Sequence, residues 1–330
     1  MSISIDALTQ RVKQYLLDLG APEREADVAT EMCVDAELRG HRSHGVRLLR
    51  NMATEYSLGA SRRRDVHVDH TSPAAAIVDG GYHLSPFVHR EAVDLLAEKA
   101  SHTGLALVSV HSAGVSGALG YLVERVAEQG LIALAFNSTP LVVVAPGSTT
   151  PALGTNPLAI AVPRSAHPPL VLDMATSAIA FNEVMRLRTV GGELPEGVAL
   201  DSSGKMTTDP HAVTDESGRG RVLPFGGHRG YGLALMIELM VSGFVTSRTS
   251  AVKRGEQLHE PDDFGALYLA IDPKLLGDTA GGFDANEQLL NEILSANGRL
   301  PGEQSRLLRE AHVATGVVDL DENARAVLDM

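Results

Sequence analysis

Apolar residues recur at helical spacing at the start of the chain. Ile5, Leu8, Val12 and Leu16 share one helix face, and Gly20 stops that run. Pro22 is placed to open a second helix, which carries Ala26, Ala29, Met32, Cys33 and Ala36 as far as Gly40. A third helix is expected over residues 43–59. The period then changes. Short apolar runs read as strands at 74–81, 105–110, 131–136, 158–163 and 170–175, with helices at 89–100 and 118–129. Strands so uniformly apolar belong to a buried sheet covered by helices, which makes the fold class α/β. Residues 201–221 and 249–263 are polar and read as exposed loops. The tail returns to a strand at 267–271 and helices at 286–296 and 304–315.

Composition narrows the functions open to such a chain. Its 330 residues suffice for one large domain or two ordinary ones. The net charge of −13 argues against a broad nucleic-acid footprint. An anionic substrate would need local Arg or His groups working against that field. The single cysteine, Cys33, excludes an intrachain disulfide and sits in an apolar helical pattern, where a thiol is buried and inert. The opening MSISIDALTQRVK has no basic run followed by an apolar one, so no signal peptide is expected. The longest apolar stretch, 233–245, is broken by Glu238, Ser242 and Gly243, so no membrane span is expected and the location is cytoplasmic.

Several segments carry chemistry. Arg39-Gly40-His41-Arg42-Ser43-His44-Gly45-Val46-Arg47 sets a histidine beside a serine and among arginines. That combination suits proton transfer on an anionic substrate, although helix-end histidines also serve as caps. His41 and His44 stand at i, i+3, a spacing open to a metal, with Glu183 as a third ligand. No G-x-G-x-x-G fingerprint joins a strand to a helix. Gly114, Gly117 and Gly120 do lie at such a junction, either as turn formers or as a phosphate loop. Gly226-Gly227-His228-Arg229-Gly230-Tyr231-Gly232 precedes an apolar helix and offers either a phosphate clamp or a surface ion pair. Gly154-Thr155-Asn156-Pro157 joins two strands as a turn or as a ligand contact. Asp173-Met174-Ala175-Thr176-Ser177 ends a strand where α/β proteins bind ligands, with Thr176 or Ser177 as the cap of the next helix. Glu183 stands among apolar neighbours and needs a partner, for which a histidine would serve.

Taken in order, these motifs resemble the type 2 malate/L-lactate dehydrogenase family. That group includes ureidoglycolate and sulfolactate dehydrogenases and the Δ1-piperideine-2-carboxylate/Δ1-pyrroline-2-carboxylate reductases. Ser43-His44-Gly45, Gly154-Thr155-Asn156-Pro157, Asp173-Met174-Ala175-Thr176-Ser177, Gly226-Gly227-His228-Arg229-Gly230, FGALYLAIDP and Pro301-Gly302-Glu303 carry the likeness over nearly the whole chain. The resemblance implies a non-Rossmann dinucleotide-binding mixed sheet with helices, together with a helical N-terminal region and a C-terminal segment. It implies hydride transfer from NADPH or NADH to C2 of a small 2-oxo acid or cyclic 2-imino acid, and a homodimer. His44 then becomes the proton donor, with Ser43 and Glu183 orienting it. Arg47 and Thr155 become substrate contacts. The cofactor would lie along Val115, Ser116, Gly117, Ala118, Leu119, Asp173, Met174, Ala175, Thr176, His228, Arg229, Pro301, Gly302 and Glu303.

Four positions depart from the family pattern. Leu48 stands where many relatives have Arg, and Arg47 fills that role if one residue is deleted. Val115 replaces a histidine, Arg229 replaces a lysine, and Glu183 stands where imine-reducing members carry aspartate. The changes at 48, 115 and 229 leave a second reading, a catalytically altered member that binds cofactor or regulates. The expected division is residues 1–72 with 246–330 as a helical, substrate and dimerisation domain, and 73–245 as the cofactor-binding domain. No metal is expected. The wording around Pro224-Phe225 and the ATSAIA run lean towards the imine-reducing members.

Overall fold

Ser4 accepts a hydrogen bond from Ala7 N and so caps the first helix, whose Leu8, Val12 and Leu16 are fully buried. The computed structural model describes residues 2–114, 116–214, 220–246, 249 and 263–330. The chain opens with β1 (Ser2–Ser4), α1 (Ile5–Asp18), α2 (Glu23–Leu38) and α3 (Leu48–Leu58). Next come β2 (His67–Ser72), β3 (Ala75–Asp79), α4 (Ser85–Thr103), β4 (Leu105–His111), α5 (Leu119–Ala127) and β5 (Ile132–Asn137). A short hairpin of β6 (Val143–Val144) and β7 (Pro151–Leu153) leads to β8 (Leu158–Val162), β9 (Leu170–Met174), α6 (Phe181–Val190) and α7 (His228–Glu238). The tail holds β10 (Ala266–Ile271), α8 (Thr279–Ser295), α9 (Glu303–Thr315), β11 (Val317–Asp319) and α10 (Glu322–Val327).

Two compact units result. The first comprises Met1–Ala135, Ala159–Asp173 and Leu267–Met330. It is organised on a seven-stranded sheet of order β2-β3-β4-β10-β5-β8-β9. The sheet is mixed: β2 runs antiparallel to β3, and β3 runs parallel to β4, with Ala75 opposite Leu107 and Asp79 opposite His111. Burial alternates along β3 and β4, so Ala76, Val78, Ala106, Val108 and Val110 face inward. The helix α4 covers them with Val88, Ala92, Leu96 and Ala100. The second unit comprises Phe136–Leu158 and Met174–Ala266. Its core gathers Val143, Leu153, Val184, Val198, Val213, Val222 and Ala234. The sheet of the first unit joins β3, β4 and β5 with β10, far along the chain.

Most expected elements form, with corrections at their ends. The third helix begins at Leu48 and not at Ser43. The helix expected over residues 89–100 starts earlier, at Ser85, where Pro86 fits the first turn. Thr176 and Ser177 do not cap α6. Thr176 Oγ1 donates to Thr155 O at 2.7 Å and Ser177 Oγ to Ile179 O at 2.7 Å, so the helix starts only after Ala180. The edge strands β1, β2 and β11 were not legible because their residues are largely exposed and lack an apolar pattern. Val115 and nearly all of the expected loop at 249–263 lie outside the described residues.

Candidate active site

The segment around His44 is a compact turn built on a buried carboxylate. After α2 the chain turns at Gly40, whose φ is +74°. His44 N donates to His41 O at 2.8 Å, and Leu48 N to Gly45 O at 2.9 Å. Glu37, 2 % exposed, reaches from α2 and accepts a hydrogen bond from Val46 N at 2.9 Å. That bond captures an amide a helix would have used, and a Cβ at Gly45 would collide with Glu37 Oε1. A side chain at 45 would therefore have to displace the Glu37 carboxylate, and the helix waits until Leu48.

Within this turn Ser43 Oγ lies 2.8 Å from His44 Nδ1. Nε2 is thereby the ring atom left for proton exchange. Dehydration by the surrounding protein lowers the His44 pKa to about 4, with His41 adding to the effect. Burial pushes the Glu37 carboxyl up to about 7, opposed by its bond from Val46 N and by Arg42 and Arg47, and reinforced by Asp321. Arg47 carries the sharper signal. Its Nη1 is buried and has no hydrogen-bond partner among the described residues. A buried guanidinium nitrogen with nothing to donate to is costly unless an anion completes it.

The first unit also brings together segments expected to hold the cofactor. Gly120 N, in the first turn of α5, donates to Asp173 Oδ2 at 2.7 Å. The carboxylate thus caps a helix that has no side-chain cap of its own. Asp173 keeps an exposed outer surface, yet loss of water around its carboxyl raises its pKa to about 6, with the Gly120 N–H opposing the shift. Gly302, φ +71°, is the N-cap of α9, and a Cβ there would stand 2.6 Å from Val171 O. Leu119, Asp173 and Gly302 therefore converge at the end of β9, flanked by Pro301 and Glu303. Ser116 is buried and Gly117 and Ala118 lead into α5, while Val115 lies outside the described residues. His41 Nε2, 2.9 Å from Ser305 Oγ, ties the His44 turn to α9. Arg309 and Arg306 in α9 are engaged with Asp35 and Glu310.

A second set of expected residues meets inside the other unit. Thr176 donates twice to Thr155 O, through N at 2.9 Å and Oγ1 at 2.7 Å. Phe225 N donates to Thr176 O at 3.0 Å, which places the start of α7 beside that pair. Met174 and Ala175 precede Thr176 and are half-buried. Gly227, φ +63°, is the N-cap of α7, which lacks a side-chain cap. His228 and Arg229 are exposed there, and a Cβ at Gly227 would meet nothing within 4 Å. An open, uncapped helix start beside a cationic side chain fits a dinucleotide phosphate. Glu183 is held by Arg186 in a fork within α6, Nε to Oε2 at 2.7 Å and Nη2 to Oε1 at 2.6 Å. Among the described residues no three His, Cys, Asp or Glu side chains converge as metal ligands.

Sequence reasoning passed over Glu37, Thr139, Glu238, His89 and Tyr268. Thr139 alone left a signal, since it follows the apolar run 131–136 at a strand end where ligands bind. The others act through contacts remote in sequence. Tyr268 Oη lies 2.7 Å from His89 Nδ1, and His89 Nε2 lies 3.3 Å from Gly114 O, at the entrance to the expected cofactor loop.

Comparison with known proteins agrees with this arrangement. Residues 3–329 match the family described as malate/L-lactate dehydrogenase. The L-sulfolactate dehydrogenase of Methanothermobacter thermautotrophicus is 31% identical over 327 residues, covering 98% of this chain and 94% of that protein. The (2R)-3-sulfolactate dehydrogenase (NADP(+)) of Chromohalobacter salexigens is 34% identical over 299 residues, covering 88% and 86%. The crystal structure of delta1-piperideine-2-carboxylate reductase from Pseudomonas syringae pvar. tomato superposes with a TM-score of 0.87 at 28% identity, covering 100% of this chain and 99% of that one. With the family matched from end to end and the same fold in a solved relative, this chain belongs to the malate/L-lactate dehydrogenase family and is an NAD(P)-dependent oxidoreductase.

Proposed function

We propose that the protein reduces a small 2-oxo acid or cyclic 2-imino acid at C2, with His44 supplying the proton. The observation that carries this reading is the buried Nη1 of Arg47, three residues after His44, which has no partner among the described residues. A substrate carboxylate is the anion that would complete it. The bound NAD(P)H supplies the hydride. Family membership and relatives named for sulfolactate and piperideine-2-carboxylate support the substrate class.

The chain's own groups then divide the work. Arg47 holds the substrate carboxylate, and Thr155 donates a second contact. Ser43 fixes the His44 ring through Nδ1, leaving Nε2 to exchange the proton. With its pKa lowered to about 4 by burial, His44 is neutral at neutral pH. That form accepts a proton in the oxidative direction. In reduction, an anionic substrate beside the ring raises its proton affinity and supplies the acid form, an effect worth roughly 10²- to 10⁴-fold in rate. Glu183 is proposed with Ser43 to orient His44, its charge balanced by Arg186 within α6. The segments 116–119, 173–176, 228–229 and 301–303 hold the cofactor.

We further propose that the enzyme works as a cytoplasmic homodimer. Among the described residues no helix is long and apolar enough to cross a membrane. Met236, Leu239, Met240 and Phe244 expose an apolar stripe along α7 and the turn beyond it, with Phe244 88 % exposed. The test of function is oxidation of NADH or NADPH by purified protein across a panel of 2-oxo and cyclic 2-imino acids. Turnover is expected with at least one. His44→Ala should abolish it and leave cofactor binding intact. Undiminished turnover in His44→Ala would remove His44 from the mechanism.

A further inference from the structure

Three hydroxyl and amide groups of the second unit form a hydrogen-bond chain anchored by backbone amides. Asn156 N donates to Thr139 Oγ1 at 3.2 Å. Thr139 N donates to Asn156 Oδ1 at 3.1 Å. Thr139 Oγ1 lies 3.0 Å from Thr155 Oγ1. An amide N–H can only donate, so it occupies a lone pair of the Thr139 hydroxyl. That hydroxyl has one proton, and its remaining partner is Thr155 Oγ1. The second lone pair could still accept from Thr155, but a hydroxyl that already accepts from an amide is polarised to donate onward, which favours Thr139 donating to Thr155 Oγ1. The Thr155 proton is left over, with no other partner among the described residues.

The frame that holds this chain is itself closely fixed. Asn156 is fully buried at φ +25°. Its Nδ2 donates to Ala234 O at 3.1 Å and to Glu238 Oε2 at 2.9 Å, so the amide cannot flip without facing acceptor to acceptor. A Cβ at Gly154 would collide with Thr139 O and Oγ1, which keeps that neighbour glycine. The Thr155 carbonyl is occupied by both donors of Thr176.

We propose that Thr139 is a positioning residue that commits the Thr155 hydroxyl to donate to an anionic or carbonyl oxygen of the substrate. This rests on the reading of Thr155 as a substrate contact. A carboxylate, sulfonate or carbonyl oxygen satisfies the leftover proton, whereas a protonated ring nitrogen does not. The Thr139–Thr155 pair thus selects for acceptor oxygen at this point of the substrate.

The test is a double-mutant cycle on Thr139 and Thr155. It uses whichever of oxaloacetate, sulfopyruvate and Δ1-piperideine-2-carboxylate the wild-type enzyme reduces fastest with NADPH or NADH. Thr155→Val and Thr139→Val should each raise KM by about 10- to 100-fold, the range for a hydrogen bond to a charged group. The double variant should be no worse than Thr155→Val alone. Thr139→Ser should restore wild-type KM, and Thr139→Cys, a weaker donor of similar volume, should fall between Ser and Val. Cofactor affinity, read by NAD(P)H fluorescence, should stay within about two-fold throughout, because the hydroxyl chain leads to the substrate contact. Multiplying losses in the double variant, or failure of Thr139→Ser to rescue, overturns the role of Thr139 alone. Wild-type KM in Thr155→Val, or no reduction of any of the three acids by the wild-type enzyme, overturns the underlying reading and this inference with it. If Thr139→Val does not fold, the Ser and Cys variants decide, and equal KM in those two overturns the proposal.

Discussion

Val46 N donates to Glu37 Oε1 at 2.9 Å, a bond that fastens the His44 turn to the end of α2. The carboxylate is 2 % exposed, and its pKa is raised from 4.5 to about 7, chiefly by burial. A carboxyl with a raised folded-state pKa contributes stability in its protonated form. That contribution is complete below pH 4.5 and is lost as pH rises through about 7. Glu37→Gln keeps an acceptor for Val46 N and removes the charge. The variant should therefore exceed wild type by about 1–3 kcal/mol at mildly alkaline pH and converge with it in acid. Denaturant melts across that range measure this. Parallel curves for the two proteins would mean that the Glu37 charge is not disfavoured by the fold.

Arg47 should separate stability from function. Its Nη1 is buried and has no hydrogen-bond partner among the described residues, so the protein itself satisfies the guanidinium incompletely there. Arg47→Met should leave the melting temperature unchanged or raise it. The same change should raise KM for the anionic substrate at least about 30-fold, as expected for losing a charged contact of about 2 kcal/mol. NADPH affinity should hold. A variant that melts early and keeps its KM would make Arg47 a structural residue.

Asn156 is predicted to be the least replaceable polar residue of the second unit. Its side chain satisfies Thr139 N, Ala234 O and Glu238 Oε2 in a fully buried setting. Asn156→Ala removes all three bonds and should cost about 2–4 kcal/mol. Asn156→Asp preserves shape yet sets a carboxylate against Glu238 and a carbonyl, and should be at least as damaging at neutral pH. Recovery of Asn156→Asp in acid, where a protonated carboxyl can donate again, is the diagnostic readout.

How much of this was visible in the chain depends on the range of each interaction. The periodicity of Leu8, Val12 and Leu16 and the apolar runs of β4, β5 and β8 reflect burial within one element, so pattern alone located them. The motif order placed His44, Thr155 and Asp173 as candidates. What the chain concealed is register and counterpart. Nothing in the string shows that Glu37 holds back the start of α3, or that Thr176 spends its hydroxyl on Thr155 O and leaves α6 without a cap. The pairing of Asp173 with Gly120 spans 53 positions, and that of Tyr268 with His89 spans 179. Such partners are chosen by sheet order, which places β10 next to β4. Local sequence carries no record of that order.

The Tyr268–His89 contact yields the last prediction. His89 Nε2 faces the Gly114 carbonyl and must donate to it, so Nδ1 is a lone pair and Tyr268 Oη donates to it. His89 is fully buried and its pKa is lowered to about 4, mainly by burial and against the bond to Gly114. A histidine with a depressed folded pKa contributes stability above its unfolded value of about 6.5, and that contribution is lost as pH falls through about 4. His89→Gln, which keeps a donor and an acceptor but does not titrate, should flatten the loss of stability between those limits. Tyr268→Phe leaves the His89 Nδ1 unsatisfied and should cost about 1–3 kcal/mol at neutral pH. Because Gly114 opens the loop assigned to the cofactor, the two variants should also differ in function. Tyr268→Phe frees the ring to change tautomer and release Gly114 O, and should raise KM for NADPH with kcat little changed. His89→Gln, still able to donate to that carbonyl, should not. If both variants weaken the cofactor equally, the bond to Gly114 O does not position the loop, and packing around the ring does.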